Sequence, residues 1–315
     1  MSSAPKSGTP TRARRVNGKA DPGAVERRVT RGSVELAVFE YGDPANQTVV
    51  LAHGWPDTHH LWEGVVPHLV DRFHVVSYDQ RGHGQSSDPG HFRGFTLAEL
   101  ALDFMAVVDA VSPDEPVHVL AHDWGSVQVW EAVCEPEAEL RIASFTSVSG
   151  PNLDAMSRWF RRGLSRPTPG NLAGPLSQLA SSGYTFFFQA PLLPRLAFAA
   201  TNRERWKGFL KVSEGTPTSQ VHLADTFEQD MVSGLRIYRA NIFHHLFGAG
   251  RERSTRVPVQ LIVNTKDVAV RPSGYDDYGR HTDRLWRRDV SSGHWVPFSR
   301  PALLARAVTE LADHL

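Results

Sequence analysis

From about residue 34 the chain alternates short apolar, β-branched runs with amphipathic stretches, and this rhythm constrains the fold more than any other feature. "VELAVFEYG" alternates and turns, and "TVVLAHG" (48–54), "FHVVSYD" (73–79), "PVHVLAH" (116–122), "IASFTSVSG" (142–150) and "VPVQLIVN" (257–264) read as buried strands. "RLWRRDV" (284–290) reads as a more exposed strand. Between them, Leu61, Val65, Val66 and Leu69 have helical spacing. "TLAELALDFMAVVDAV" (96–111) is amphipathic with Thr96 placed as a cap and Glu99 three residues on, and "SVQVWEAVCE" (126–135) and "PALLARAVTELADHL" (301–315) are further helices. Strands buried on both faces and alternating with helices predict a mostly parallel sheet covered by helices on each side. The rhythm breaks over 151–235, which is rich in proline and aromatics and shows no clear strand. A helical insertion is expected there, because long structureless loops are rare in compact domains. The expected division is a core of 31–150 and 236–315 with 151–235 as an insert.

Residues 1–30 differ from the rest, being rich in Arg, Lys, Ser, Pro and Gly without an apolar run. A solvated, disordered tail is expected; the sharper alternative is a weak contact with an anionic surface. The formal net charge of the whole chain is +0, which argues against nucleic acid as the main partner. A single cysteine, Cys134, excludes an internal disulfide framework and fits a reducing compartment. With no signal-peptide core and no run long enough to span a bilayer, a cytoplasmic location is expected. The neighbouring pairs His59–His60 and His244–His245 lack carboxylate or cysteine companions at ligand spacing, so no metal and no cofactor are expected.

Ligands of open α/β sheets gather beyond the carboxyl ends of the strands. The end of 116–122 is the most telling. In "HVLAHDWGS", small residues (Ala121, Gly125, Ser126) surround Asp123 at the spacing of a sharp strand-to-helix elbow, which lifts the central side chain above the sheet. The first N–H groups of the following helix favour an anion, so Asp123 is expected to stay ionised. Taken alone, the motif fits equally a nucleophile or an aspartate that merely caps the helix. Other strand ends carry "HGWP" (53–56), "DQRGHG" (79–84), "NTKD" (264–267) and "SSGHW" (291–295). Asp267 and His294 therefore complete the chain order nucleophile, acid, histidine. Asp154, after the 142–150 strand, is the alternative acid. Asp79 and Arg81 are expected to brace loops near the site.

These motifs together make the chain resemble the α/β-hydrolase superfamily and, within it, the epoxide hydrolases, from about residue 30 to the end. "RFHVVSYDQRGHGQS", "HDWGSVQVWEAV" and "IASFTSVSGPNLD" are similar to the hydrolase half of actinobacterial proteins in which an epoxide-hydrolase domain precedes a short-chain dehydrogenase. "GAG" at 248–250 lacks the spacing of a dinucleotide fingerprint, so no dehydrogenase half is expected here. The resemblance implies the α/β-hydrolase fold with a helical cap after the sixth strand. It implies Asp123 as nucleophile, His294 and Asp267 as the water-activating pair, and backbone N–H groups of Trp55 and Trp124 as the oxyanion hole. His53, Trp55, Pro56, Trp124 and Phe187 are expected to touch substrate.

Aspartate in the serine's place changes the chemistry. It forms an ester only by alkylation at saturated carbon, so the substrate must be an alkyl electrophile such as an epoxide or a halide. An epoxide leaves an alkoxide, which needs a proton donor; neutral tyrosines suit this. The family uses two cap tyrosines, and the matching positions are Tyr184 in "GYTFFFQAP" and Tyr238 in "GLRIYRANIF". Related dehalogenases often carry Asn or Glu after "HG", where this chain has Trp55. The expected substrate is a hydrophobic epoxide converted to a vicinal diol. A haloalkane dehalogenase and a non-catalytic binding protein are the alternatives, and a homodimer is left open.

Overall fold

The computed structural model describes residues 23–248 and 251–315, with the backbone at 15–16 and 19–20 forming a small separate antiparallel ladder. Most of the expected tail lies outside the described residues. Its last part does not behave as a tail: Val25–Arg31 is strand β1, paired along its whole length with β2 (Val34–Tyr41). The side chains of β1 are mostly exposed, as suits an edge strand whose charged residues discourage further pairing. That polarity is why β1 reads as tail in the sequence.

The main sheet adds β3 (Thr48–Ala52), β4 (His74–Tyr78), β5 (Val117–His122), β6 (Ile142–Val148), β7 (Val259–Asn264) and β8 (Leu285–Val290). The spatial order is β8-β7-β6-β5-β3-β4-β2-β1, parallel throughout except where β2 runs against β1 and β4. In β3, Val49 and Leu51 enter one apolar cluster and Val50 and Ala52 another, one on each face. Every residue of β3, β4 and β5 is buried, which explains their continuous rather than alternating apolar runs. Each fully buried aliphatic side chain contributes about 1.5–3 kcal/mol of burial, so the sheet centre is the rigid base of the molecule.

Helix α1 (Leu97–Val111) begins as expected, with the Thr96 hydroxyl accepting from the Glu99 N–H. Helix α2 (Trp124–Val133) follows β5 directly. The helix expected over 61–69 is instead two 3-10 turns, His59–Trp62 and Val66–His68. Gly64 and Pro67 account for this, since one is a poor helix former and the other has no N–H to donate. After β6, the sixth strand of the sheet, come α3 (Leu153–Ser165), α4 (Pro169–Ser181), α5 (Gly183–Gln189), α6 (Leu193–Ala199), α7 (Arg203–Glu214), α8 (Phe227–Ser233) and α9 (Leu235–Phe247). The helical chain continues to Phe247, past the expected boundary at 235, before β7. Two helices, α10 (Val296–Ser299) and α11 (Pro301–Asp313), close the fold. Among the described residues no helix is long and apolar enough to cross a membrane.

Candidate active site

Asp123 is the single residue between β5 and α2. Its backbone has φ 51° and ψ −128°, a conformation that costs a non-glycine residue about 1–3 kcal/mol and persists only where the surroundings impose it. Here they do. The Asp123 N–H donates to Val148 O at 3.0 Å, and its carbonyl accepts from Val127 N–H at 2.9 Å. A Cβ on Gly125 would overlap the carbonyl oxygens of Ala52 and His53, so the tight turn admits only glycine there. Beyond the N–H of its first residue, Trp124, helix α2 receives no cap hydrogen bond from the Asp123 side chain. Asp123 Oδ2 also accepts the Trp55 backbone N–H at 2.9 Å. A Cβ on Gly54 would overlap this carboxylate and the Trp124 nitrogen. Burial raises the Asp123 carboxyl, while the charge of His294 and the backbone N–H groups of Trp124 and Trp55 oppose the rise.

His294 sits between β8 and α10 and faces two acids. Its Nδ1 is 3.0 Å from Asp267 Oδ2, and its Nε2 is 3.7 Å from Asp123 Oδ1. Asp267 lies just beyond β7; its second oxygen accepts the N–H groups of Ala269 at 2.7 Å and Val270 at 3.0 Å, which fixes its direction. Burial alone would lower the imidazole, but Asp267, Asp123 and Glu214 outweigh it and push it up to about 10. The alternative acid, Asp154, is engaged elsewhere: its carboxylate meets His245 Nδ1 at 3.3 Å and Arg251 Nε at 3.1 Å. Two further acids come close. Glu214, at the C-terminus of α7, accepts from the backbone N–H groups of His294 at 2.7 Å and Trp295 at 3.0 Å. Asp57 accepts from Trp295 Nε1 at 3.0 Å, and burial pushes its carboxyl up to about 7.

Between the sheet ends and helices α3–α7 and α9 lie two adjoining, partly open lobes. The first, about 870 Å³ with its open mouth, is lined largely by apolar residues such as Leu153, Met156, Phe160 and Ile242 and reaches His245. The second, about 910 Å³ with its open mouth, is lined by aromatics including Trp55, Phe188, Phe198 and Trp206 and reaches His294. Asp123, Tyr184, Tyr238 and Ala269 line both. The rings of Tyr184 and Tyr238 are 6.1 Å apart, and Tyr238 stacks edge-on against Trp124 at 4.9 Å and Trp55 at 5.6 Å. Burial and the nearby charge of Asp123 raise the Tyr184 phenol; burial, Tyr184 and Asp123 raise that of Tyr238.

The structure thus brings together Asp123, His294, Asp267, Tyr184, Tyr238, Trp55 and Trp124. Three expected contacts are placed differently. His53 is buried behind the turn, its Nε2 accepting from Gln80 N–H at 2.9 Å, and burial and His83 hold it down to about 3. Neither it nor Pro56 lines the lobes. Phe187 is exposed, whereas Phe188, four residues after Tyr184 and so on the same face of α5, points inward. Asp79 and Arg81 do brace loops: Asp79 accepts from His59 and Gln85 N–H groups, and Arg81 forks onto Asp103 at 2.5 and 2.7 Å. Cys134 lies away from the lobes, and burial pushes its thiol up to about 12. Glu214 escaped the sequence reading; the one signal was an acid in the last turn of a helix, where the backbone dipole disfavours it.

This elbow, acid and histidine on a mostly parallel sheet define an α/β hydrolase, and residues 47–301 match the α/β hydrolase fold family. The chain belongs to that family. It is 45% identical over 288 residues to the Mycobacterium tuberculosis protein named "Probable oxidoreductase EphD", covering 89% of this chain and 48% of that protein. It is 40% identical over 129 residues to "Epoxide hydrolase A" of Mycobacterium tuberculosis, covering 41% of this chain and 39% of that protein. The chain spans about half the length of the first of these relatives. Among solved structures, an inhibitor complex of Bacillus megaterium epoxide hydrolase superposes with a TM-score of 0.72 at 18% identity, over 91% of this chain and 100% of that one, a likeness of fold.

Proposed function

We propose that the chain is an epoxide hydrolase that converts a hydrophobic epoxide to a vicinal diol through an ester on Asp123, with 151–235 serving as its cap. The observation that carries this reading is the position of Asp123 where both lobes meet, its Oδ2 on the Trp55 N–H, with His294 and the two tyrosines lining the same space. Oδ1 attacks an epoxide carbon; the carbon–oxygen bond breaks, and a tyrosine hydroxyl protonates the leaving alkoxide. Such proton donation is worth roughly 10²–10⁴-fold.

Alkylation removes the Asp123 charge, one of the three that keep His294 protonated. The imidazole then loses its proton more readily and takes one from water through Nε2, while Asp267 holds Nδ1. The resulting hydroxide adds to the ester carbonyl. The oxyanion forms at Oδ2, where the N–H groups of Trp55 and Trp124 receive it. Losing one such donor typically costs ~2.7–4 kcal/mol. Collapse breaks the carbonyl–Oδ1 bond, and the departing diol oxygen takes the His294 proton. The proton that His294 gave up before hydrolysis restores the tyrosine hydroxyl and the proton left on the carboxyl returns to His294, so one epoxide and one water give one diol.

Halide release is less well served. It would call on free indole N–H groups, yet Trp55 Nε1 already donates to Met231 O at 3.0 Å. One single turnover in ¹⁸O water tests the mechanism. The first diol should carry unlabelled oxygen from Asp123, and label in that diol would exclude the ester.

A further inference from the structure

The catalytic histidine belongs to the core, yet the groups that fix its backbone include one from the cap. Glu214 ends α7, and its two oxygens accept the consecutive N–H groups of His294 and Trp295 at 2.7 and 3.0 Å. Such charge-assisted, two-pronged bonding fixes direction as well as distance. The approach is close: a Cβ on Gly293 would meet the Glu214 carboxylate carbon at 2.5 Å. Neither N–H has a helical partner to fall back on, because the loop turns here between β8 and α10. An acid at a helix C-terminus opposes the dipole, so this placement costs α7 stability and has no local reason.

We propose that Glu214 is a positioning residue for His294, tying the hydrolytic base to the seating of the cap through the two consecutive backbone N–H groups it holds. This rests on the epoxide-hydrolase reading only for the chemical step it would affect. The groups facing the imidazole are Asp267 beyond β7, Asp123 at the elbow, Glu214 on α7, His122 at the end of β5 and Asp57 beyond β3. Burial and the charge of His294 hold His122 down to about 3, so it carries no charge in the working range. Asp57, pushed by burial to about 7, titrates within it, so each comparison is repeated in an Asp57→Asn background.

The test uses the whole chain with styrene oxide and a long-chain epoxide as probes. In Glu214→Gln, one N–H keeps an acceptor and the other meets an amide NH2. Ester hydrolysis should slow roughly 10–10²-fold, the size expected of a small misplacement. Ester formation, followed by intact mass after acid quench, should stay near the wild-type rate, so the alkyl-enzyme accumulates. The acid limb of kcat should move to lower pH, by on the order of one unit, because a negative charge has gone. Glu214→Asp should lose rate but keep the limb. Wild-type hydrolysis in both variants, or a rate loss in Glu214→Gln with an unmoved limb, would overturn the proposal. If Glu214→Gln does not fold, Glu214→Asp decides: a slower hydrolysis with a fixed limb supports the proposal, and an unchanged rate refutes it. Histidine NMR separates this inference from the functional reading. If neither probe gives diol or adduct with wild-type protein, the function is wrong; the His294 titration must still fall in Glu214→Gln, and an unshifted titration refutes the role of Glu214.

Discussion

Two aspartate–histidine pairs lie beside the lobes that share Asp123, and the charges around them differ. Asp154 and His245 meet at 3.3 Å beside the first lobe; Asp267 and His294 meet at 3.0 Å beside the second. Asp154 also holds Arg251, which reaches on to Glu131 at 2.7 Å. Burial would raise the Asp154 carboxyl, but His245 and Arg251 outweigh it and bring it down to about 2. That pair is a clasp, its charge neutralised by a cation. The second pair has acids around it instead: Asp123, Glu214 and Asp267 together push His294 up to about 10. Proximity of an acid to an imidazole is therefore a weak sign of catalysis. What distinguishes the second pair is surplus negative charge and an Nε2 that faces Asp123 Oδ1 at 3.7 Å.

The comparison breaks most visibly at the histidines. His294→Gln should reduce steady-state turnover by roughly 10⁴-fold or more while the Asp123 ester accumulates, since the whole hydrolytic unit fails together. His245→Gln should stay within a few-fold in the same assay. Equal losses would remove the distinction between the pairs. The acids come next. Asp267→Asn should cost on the order of 10⁴ in kcat, the loss expected when an orienting acid is replaced by an amide that favours the wrong imidazole tautomer. Asp154→Asn should leave kcat nearly intact. A large kcat loss from Asp154→Asn with none from Asp267→Asn would reverse the assignment. The tyrosines line both lobes, between the two pairs. Tyr184→Phe combined with Tyr238→Phe should slow ester formation roughly 10²–10⁴-fold and spare hydrolysis of an ester already formed. Near wild-type epoxide opening in a stopped-flow single turnover would mean that the proton comes from another group.

The parts of this site that lie at strand ends were legible in the sequence, because buried parallel strands announce themselves as apolar runs and chemistry gathers where they stop. The elbow at Asp123 and the places of Asp267 and His294 beyond their strands are legible that way. The tyrosines were reached only through the family resemblance, since helices α5 and α9 carry many aromatics and periodicity alone does not say which face looks inward. The same ambiguity placed Phe187 in the cavity when the four-residue helical repeat from Tyr184 selects Phe188. His53 misled for a different reason: a histidine next to a catalytic turn is as useful for holding Gln80 as for touching substrate. Glu214 was invisible because its partners are backbone N–H groups about 80 residues away, and no side-chain pattern records such a bond. Strand β1 was lost to its exposed charges.

The smallest expected effects lie in stability against pH, where the two pairs should appear at opposite ends. His294 is raised in the folded protein, from an ordinary value of 6.5 to about 10. Its contribution is fully present below pH 6.5 and is lost as pH rises toward 10. Asp154 is depressed from 3.8 to about 2, so its contribution is present above 3.8 and is lost as pH falls toward 2. Wild-type melting temperature should therefore decline between neutral and pH 10, and His294→Gln should flatten that decline while His245→Gln keeps it. Asp154→Asn should instead flatten part of the loss on the acid side. Arg251 is about half exposed, so solvent screening limits the pair to roughly 1 kcal/mol or less. That corresponds to shifts of roughly 2–4 °C in a large domain. Calorimetric scans across the pH range would settle it: if Asp154→Asn altered the alkaline limb, the two pairs would share one electrostatic environment and the contrast between clasp and catalytic pair would fail.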